Sequence, residues 1–418
     1  MPSQKNHSTP PEVQRDWISR ARALKPILEA AAPRIEQGQA VPPDALEALH
    51  NAGMFRMMLP KSVGGAELDL ATFAQVVAII AEGDASVAWC IAQSAGCSMS
   101  AAYLDPEVAK EMFGPRDAVL TWGFASNQPP CRAVPVKGGW MVNGAWTFAS
   151  GNRLSRWLGG HAQLCDEKGA PRLRPDGSVM ERTMLFPRSS ARVRDDLWDV
   201  VGLVGTGSDS YAVTDLFVPT NYSVVARCIP SDQQLPEGVK APPDPERRGQ
   251  GILDRCSSQA AHQAGLTSVA IGIARAMLDS FIALARKKSP SSATHSLRDD
   301  TWIQARIAHA DAKISAASAW TVKLLEEAWH EAATQGEISF PLRVRIRLAC
   351  THQINEATEA VDMIFREAGA TGIFKNQPFE RRFRDMHTVA QQVQGSVARM
   401  QSVGRYYLGM PPQLFLLP

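Results

Sequence analysis

The chain has 418 residues, 45% hydrophobic and 21% charged, the values of a globular protein with room for two or three domains. A formal net charge of +2 gives no electrostatic reason to expect nucleic acid or an anionic membrane as a partner. Seven cysteines, Cys90, Cys97, Cys131, Cys165, Cys228, Cys256 and Cys350, follow neither a disulfide framework nor metal-ligand spacing. No metal is therefore expected, and a reducing, cytoplasmic setting is. The opening MPSQKNHSTPPEVQRDW has no apolar core of a leader, and no run of about 18 apolar residues is expected anywhere in the chain.

A polar tail of about 15 residues comes first. The spacing of Leu24, Ile27, Leu28, Ala31 and Ile35 then predicts a helix with one apolar face. Pro42-Pro43-Asp44 before ALEALHNAG predicts a second helix, ended by Gly53. After the glycine turn in PKSVGGAELDL, Leu70 to Ile80 and Val87 to Tyr103 read as two more. These make an N-terminal helical domain over 16–117.

From Ala118 the apolar period changes to alternation. AVLTWGF, CRAVPVKGGWMVNGAWTFASG, WLGGHAQL, TMLFPR, ARVRDDLWDVVGL and SYAVTDLFVP are strand-like and separated by Gly, Pro, Asp and Asn. A barrel-like middle β domain over 118–228 is expected. Within it, Asn143-Gly144 reads as the turn of a β-hairpin, with Trp140 and Val142 before it, Trp146 and Phe148 after it, and Ser150-Gly151 breaking the second strand. Residues 229–252, rich in Pro and charge, read as an exposed linker. The remainder, 253–418, carries helical stripes: Ala270, Ile273, Met277, Ser280 and Leu284, then Ile314, Ala317, Thr321, Leu324 and Ala328, then a third over Arg343 to Arg366. With a shorter helix from Met386, these predict an antiparallel four-helix bundle. The expected class is mainly α with a middle β domain (α+β).

The hairpin GGWMVNGAWTFASG, the segment LPKSVGGAELDL, the strand end VTDLFVP and the C-terminal PFERRFRD, in this order of domains, resemble the acyl-CoA dehydrogenase fold. The likeness runs from about residue 20 to about residue 410. Within that fold the sequence is more similar to the two-component flavin-dependent monooxygenases that hydroxylate aromatic and indole-type substrates. Dehydrogenases have a Glu-Gly-Thr turn whose carboxylate removes a proton. Here Gln394-Gly395-Ser396 stands near that place, and an amide has no basic pKa to do so. His387, in Arg-Asp-x-His, and the turn Gly205-Thr206-Gly207-Ser208 match the monooxygenase pattern. A second histidine that many of these enzymes carry shortly after the first is replaced by Gln391 and Gln392. Nor does the fourth N-terminal helix offer the histidine that receives a phenol in some relatives; Ser94 and Cys97 stand there.

The resemblance implies an oxygenase subunit that takes reduced flavin, FMN or FAD, from a separate NAD(P)H-dependent reductase. It uses O2 to form a C4a-hydroperoxyflavin that oxygenates a small aromatic or heteroaromatic molecule. It also implies a homotetramer. The absence of a G-x-G-x-x-G in a βαβ context agrees with a separate reductase. His387 and Ser150 are the expected catalytic residues. Flavin contacts are expected from Trp122, Gly123, Ser126, Thr147, Ser150, Gly151, Thr206, Ser208 and Arg384. The substrate pocket is expected from Ser94, Cys97, Trp122, Phe124 and Gln391, with Trp146 as a further aromatic wall. An acyl-CoA dehydrogenase and a non-catalytic oligomer of the same fold are the alternatives.

Overall fold

The computed structural model describes residues 9–175, 177–225, 249, 251–289 and 296–410. All of the expected linker 229–252 except 249, 251 and 252 lies outside them. The N-terminal part is α1 (Pro11–Gly38), α2 (Pro43–Asn51), α3 (Leu70–Gly83), α4 (Ala85–Ser98) and α5 (Pro106–Phe113). Helix α1 starts inside the expected tail. Pro11 occupies its first turn, where a missing N–H costs nothing, and Glu12 favours the positive end of the helix dipole. Trp17, Ala21, Leu24, Leu28, Ala31 and Ile35 form its buried stripe. Asp69 caps α3 by accepting from Thr72 N at 2.8 Å, and Asp84 caps α4 by accepting from Val87 N at 3.0 Å.

Among the described residues the middle domain is a mixed sheet of nine strands: β1 (Leu120–Trp122), β2 (Phe124–Ala125), β3 (Arg132–Val136), β4 (Gly139–Thr147), β5 (Trp157–Leu164), β6 (Glu181–Pro187), β7 (Arg192–Arg194), β8 (Ser210–Pro219) and β9 (Ser223–Val225). Its main path is β7-β8-β4-β3-β5-β6-β9, with β1 beside β5 and β2 beside β4. Among the described residues the two ends do not meet, so the sheet is open and the barrel expectation is corrected. Strand β7 stops at Arg194 because the following DDLWDVVGL leaves the sheet to pack against a C-terminal helix.

The hairpin reading is also corrected. Asn143-Gly144 lies inside the unbroken strand β4, and the turn joining β3 to β4 is Lys137-Gly138, with Gly138 at φ 84°. The Asn143-Gly144 pair instead marks a bulge against β8, between Val142 and Gly144. Asn143 Nδ2 donates to Asp215 Oδ1 at 3.0 Å, and Asp215 N donates to Asn143 Oδ1 at 2.9 Å. A Cβ on Gly144 would stand 2.7 Å from Trp146 Cη2 and 2.8 Å from Cys131 Sγ. The Asn-Gly pair thus serves cross-strand pairing and close packing.

The C-terminal part is α6 (Ser258–Ala285), α7 (Thr301–Gln335), α8 (Phe340–Ala368), α9 (Phe379–Ala390) and α10 (Val397–Tyr407). Helix α9 begins at Phe379, earlier than the expected Met386; its buried face includes the charged Arg382 and Asp385, which hide the apolar stripe from the sequence pattern. Contrary to expectation, helix α6 is long and apolar enough to cross a membrane by length and composition, with 67% of its most apolar window buried inside the protein. It packs as a core helix against α3, α4 and α8. Gly272 touches α3, where a Cβ would lie 2.1 Å from Ala78 O, and Gly265 touches α4, where it would lie 2.7 Å from Ala92 Cβ.

Candidate active site

Strand β4 ends at Thr147, and the next residue, Phe148, takes a left-handed backbone at φ 58°. This turn, with Gly151 at φ 80°, drives Ser150 inward. Ser150 is 6% exposed and receives the Trp89 Nε1–H of α4 at 3.1 Å. Its Oγ lies 2.7 Å from Ser208 Oγ, which lies 2.8 Å from Thr206 Oγ1, and Thr206 Oγ1 donates to Leu203 O at 2.8 Å. Because a carbonyl only accepts, Thr206 spends its proton on Leu203. Ser208 must then donate to Thr206, and Ser150 to Ser208. The chain has one direction, and Ser150 Oγ keeps an accepting lone pair.

A second set of bonds fixes the two loops that carry these hydroxyls. Asn152 Nδ2 donates to Gly207 O at 2.7 Å and to Asp209 Oδ2 at 3.1 Å, and Arg153 pairs with Asp209 at 2.8 Å. Ser150, Gly151, Thr206 and Ser208, expected together from the sequence, are adjacent. Gly123 is adjacent to Thr147, since a Cβ on it would lie 2.1 Å from Thr147 O. Thr147 itself is exposed, and Ser126 Oγ accepts from Gln128 N at 3.2 Å outside this chain.

The aromatic residues divide differently from expectation. Trp146, expected as a cavity wall, is fully buried, stacked on Tyr211 at 5.3 Å and bonded to His161 O. Phe124, expected in the pocket, is 65% exposed, and Phe148 is 59% exposed. Their centroids are 6.4 Å apart, and Trp198 lies 6.1 Å beyond Phe148, so they form an outward aromatic edge. Trp122 does line a cavity, with Met99, Tyr103, Cys256 and Ser258. Ser94 and Cys97 do not border it. Cys97 accepts from Gln93 Nε2 at 3.6 Å, and burial pushes its thiol upward; Ser94 Oγ is buried and has no hydrogen-bond partner among the described residues.

The sequence reading passed over His262. Its ring lies against Gly96 of α4, where a Cβ would stand 2.4 Å from the imidazole, and Gly96 lines the cavity. Burial pushes His262 down to about 4, against the raising effect of bonds to the Ser258 and Gln93 backbones. It is therefore neutral at neutral pH, and among the described residues its Nε2 makes no well-aligned hydrogen bond. The pairing of Gly96 with a histidine far along the chain leaves no local sequence signal.

On α9 the expected residues spread out. His387 Nε2 lies 2.8 Å from Asp362 Oδ1 of α8, and its ring packs 4.3 Å from that of Phe383. Gln391 is exposed at the end of the helix, whereas Gln394 is buried in the loop that follows. Arg384, expected at a flavin phosphate, pairs with Glu36 and Glu380, each at 2.6 Å, and donates to Val201 O at 2.7 Å. Asp385, also unforeseen, accepts from Leu203 N at 2.6 Å and so fixes the loop on which the hydroxyl chain ends. Burial, reinforced by nearby Asp84, pushes Asp385 up to about 7.

Residues 17–115 match the family described as acyl-CoA dehydrogenase, N-terminal domain, and residues 264–396 match acyl-CoA dehydrogenase, C-terminal domain. The chain belongs to the acyl-CoA dehydrogenase family. Among its relatives are indole-3-acetate monooxygenase of Pseudomonas putida, 29% identical, and the flavin-dependent monooxygenase oxygenase subunit HsaA of Rhodococcus jostii, 27% identical. The first match covers 88% of this chain and 87% of the relative, and the second 88% and 92%. XiaF from Streptomyces sp., solved with FADH2, has the same fold, with a TM-score of 0.83 and 22% identity over 96% of this chain and 97% of its own. Within the family, this chain is similar to members of the flavin-dependent monooxygenase branch.

The structure offers a fit for a flavin. Buried hydroxyls stand in a fixed chain behind the turn after β4, and Phe148 and Phe124 present exposed, flat apolar faces on the same turn and the neighbouring strand.

Proposed function

We propose that this chain is the oxygenase component of a two-component system. It receives reduced flavin from a separate NAD(P)H-dependent reductase and uses O2 to oxygenate a small aromatic or heteroaromatic substrate. The flavin supplies the reaction with oxygen. Ser150 carries the reading, because with its proton committed to Ser208 its Oγ can only accept. A reduced flavin has a ring N–H to give at N5, and an oxidised flavin has none. Trp89, also bonded to Ser150, holds the hydroxyl in place while the dry surroundings keep water from competing for it.

On the substrate side, the cavity lined by Trp122 and Met99 suits an aromatic ring, and neutral His262, packed against Gly96 of its wall, would offer an acceptor to a ring N–H or O–H that reaches past that glycine. His387, oriented by Asp362, is the group that would hold or move a proton near the α9 end of the site. Gln394, buried where the dehydrogenases keep their base, supports oxygenation over acyl-CoA dehydrogenation. A homotetramer is part of the same reading. It is supported by the exposed apolar residues Phe124, Phe148, Val201 and Val397, and it would complete the C-terminal helices as a four-helix bundle. A cytoplasmic setting is supported by six free, buried cysteines among the described residues.

Anaerobic titration with reduced and with oxidised flavin tests the proposal. Tighter binding of the reduced form by at least about tenfold is expected, given the value of one hydrogen bond in a dry site. Equal affinities, or oxidised flavin that survives gel filtration at full stoichiometry, would overturn it.

A further inference from the structure

A second, small cavity is lined by Glu36 of α1, Asp84 and Ser86 at the start of α4, Gly205 of the turn that carries Thr206 and Ser208, and Arg381 and Asp385 of α9. The turn packs closely there: a Cβ on Gly205 would stand 2.1 Å from Ile35 Cγ2 and 3.1 Å from Ser86 Cβ. Asp84 and Asp385 are both buried, so two carboxyl groups share one enclosure with the hydroxyl-bearing turn.

The charges around this cavity do not balance if both aspartates are ionised. Arg381 Nη1 lies 3.8 Å from Asp84 Oδ2. Arg384 is already shared between Glu36 and Glu380. Arg382 turns to Ser280 Oγ of α6 at 2.8 Å, with Glu29 of α1 at 3.9 Å and Asp279 of α6 also acting on it. Among the described residues no guanidinium pairs with Asp385, whose Oδ1 instead accepts from Leu203 N at 2.6 Å. Two carboxylates buried together with so little opposite charge are more stable with one proton between them. Burial and the charge of Asp84 both push Asp385 upward, to about 7, in agreement with this balance.

The cavity also joins the two supports of the hydroxyl chain. Helix α4 holds Ser150 through Trp89, and α9 holds the other end through Leu203. The Leu203 loop rides on α9, since a Cβ on Gly202 would lie 2.3 Å from Arg384 O. Leu203 itself is kept at φ 51°, a left-handed backbone that a leucine adopts only under constraint. Its carbonyl is the acceptor on which Thr206 spends its proton. A second charge beside Asp84 would drive Asp385, and Leu203 with it, away from α4. Thr206 would then lose its acceptor, and the chain would lose the direction that leaves Ser150 Oγ accepting.

We propose that Asp84 and Asp385 hold one proton between them, and that this proton keeps Leu203 in place for Thr206. The pair are thus positioning residues for Ser150 and make the hydroxyl chain sensitive to pH. The effect on the chain stands on its own residues, and the effect on reduced flavin rests on the monooxygenase reading.

The test follows wild type, Asp385→Asn and Asp84→Asn from about pH 5.5 to about pH 8.5, a range that brackets the expected titration. Asparagine keeps an acceptor for Leu203 N at one position and a helix cap at the other. The first readout needs no flavin: hydrogen–deuterium exchange of the 203–209 segment, each variant compared with wild type at the same pH so that the intrinsic effect of pH cancels. Relative to Asp385→Asn, wild type should lose at least about tenfold in protection as pH rises, with a midpoint near that of Asp385. Asp84→Asn should lose this step or move it to lower pH. The second readout is anaerobic titration with reduced FMN, in which wild type should lose roughly tenfold in affinity relative to Asp385→Asn over the same range. A flat exchange ratio overturns the proposal, and a step that Asp84→Asn leaves at the wild-type pH overturns the shared proton. An exchange step without an affinity step overturns the link to Ser150. Failure of every protein to bind reduced FMN, with the exchange step present, sinks the monooxygenase reading and supports the carboxyl pair.

Discussion

Trp89 Nε1 donates to Ser150 Oγ at 3.1 Å across a separation of 61 residues, which ties helix α4 to the inward turn after strand β4. The bond makes Ser150 both a structural and a chemical residue. Ser150→Ala should lower stability by roughly 1–3 kcal/mol, because it leaves a buried indole N–H unpaired. It should also raise the hydrogen peroxide released per oxygen consumed. Ser150→Thr, which restores the hydroxyl, should recover much of the coupling. An unchanged ratio of product to oxygen in Ser150→Ala would reduce the residue to a structural one.

His387 and Asp362 have side chains 38% and 37% exposed, so their pair contributes at most about 1 kcal/mol to stability. His387→Ala should therefore fold normally and bind flavin normally while losing roughly 100-fold in product formation. Gln391→Ala, at an exposed helix end, should keep its rate. The reverse outcome would move the proton-handling role to the glutamine.

Asp385 has its folded-state pKa raised to about 7, well above that of an unfolded aspartate. The folded protein thus binds the proton more tightly, so this group's contribution to stability is fully present below about pH 4 and is lost as pH rises to about 7. Asp385→Asn keeps an acceptor for Leu203 N and removes the buried charge. Thermal melts at several pH values should show the variant gaining on wild type as pH rises over that window, by on the order of 2–4 kcal/mol at most. A constant difference across the window would mean that Asp385 does not titrate there.

Gly96→Ala introduces a Cβ 2.4 Å from the His262 ring, so the imidazole must swing away. The affinity for an aromatic N–H substrate should fall at least about tenfold, with reduced-flavin binding retained. If substrate binding survives in Gly96→Ala and in His262→Ala alike, the imidazole is a packing residue.

The subunit arrangement is open to a direct measurement. Light scattering at micromolar concentration should return a tetramer. Val201→Asp and Val397→Asp, placed on residues 70% and 67% exposed in the single chain, should weaken assembly without unfolding it. A stable monomeric wild type would remove the reading.

The sequence by itself determined the order of the parts. Leu24, Leu28, Ala31 and Ile35 mark a helix because one face is buried, and WLGGHAQL and SYAVTDLFVP mark β5 and β8 because their ends are punctuated locally. The proximity of Ser150 to Gly205-Thr206-Gly207-Ser208 was legible only through resemblance, since no local rule links loops so far apart. Tertiary structure alone decided whether Asn143-Gly144 turns or bulges, because Asp215 on β8 and the ring of Trp146 settle it. It alone buried Arg382 and Asp385, whose charges made α9 look exposed. It also set His262 against Gly96 and brought Asp84 and Asp385 to one cavity. Local pattern records which face of an element avoids water, but a polar side chain's partner is fixed by the packing of distant elements, and that information is not carried by spacing along the chain.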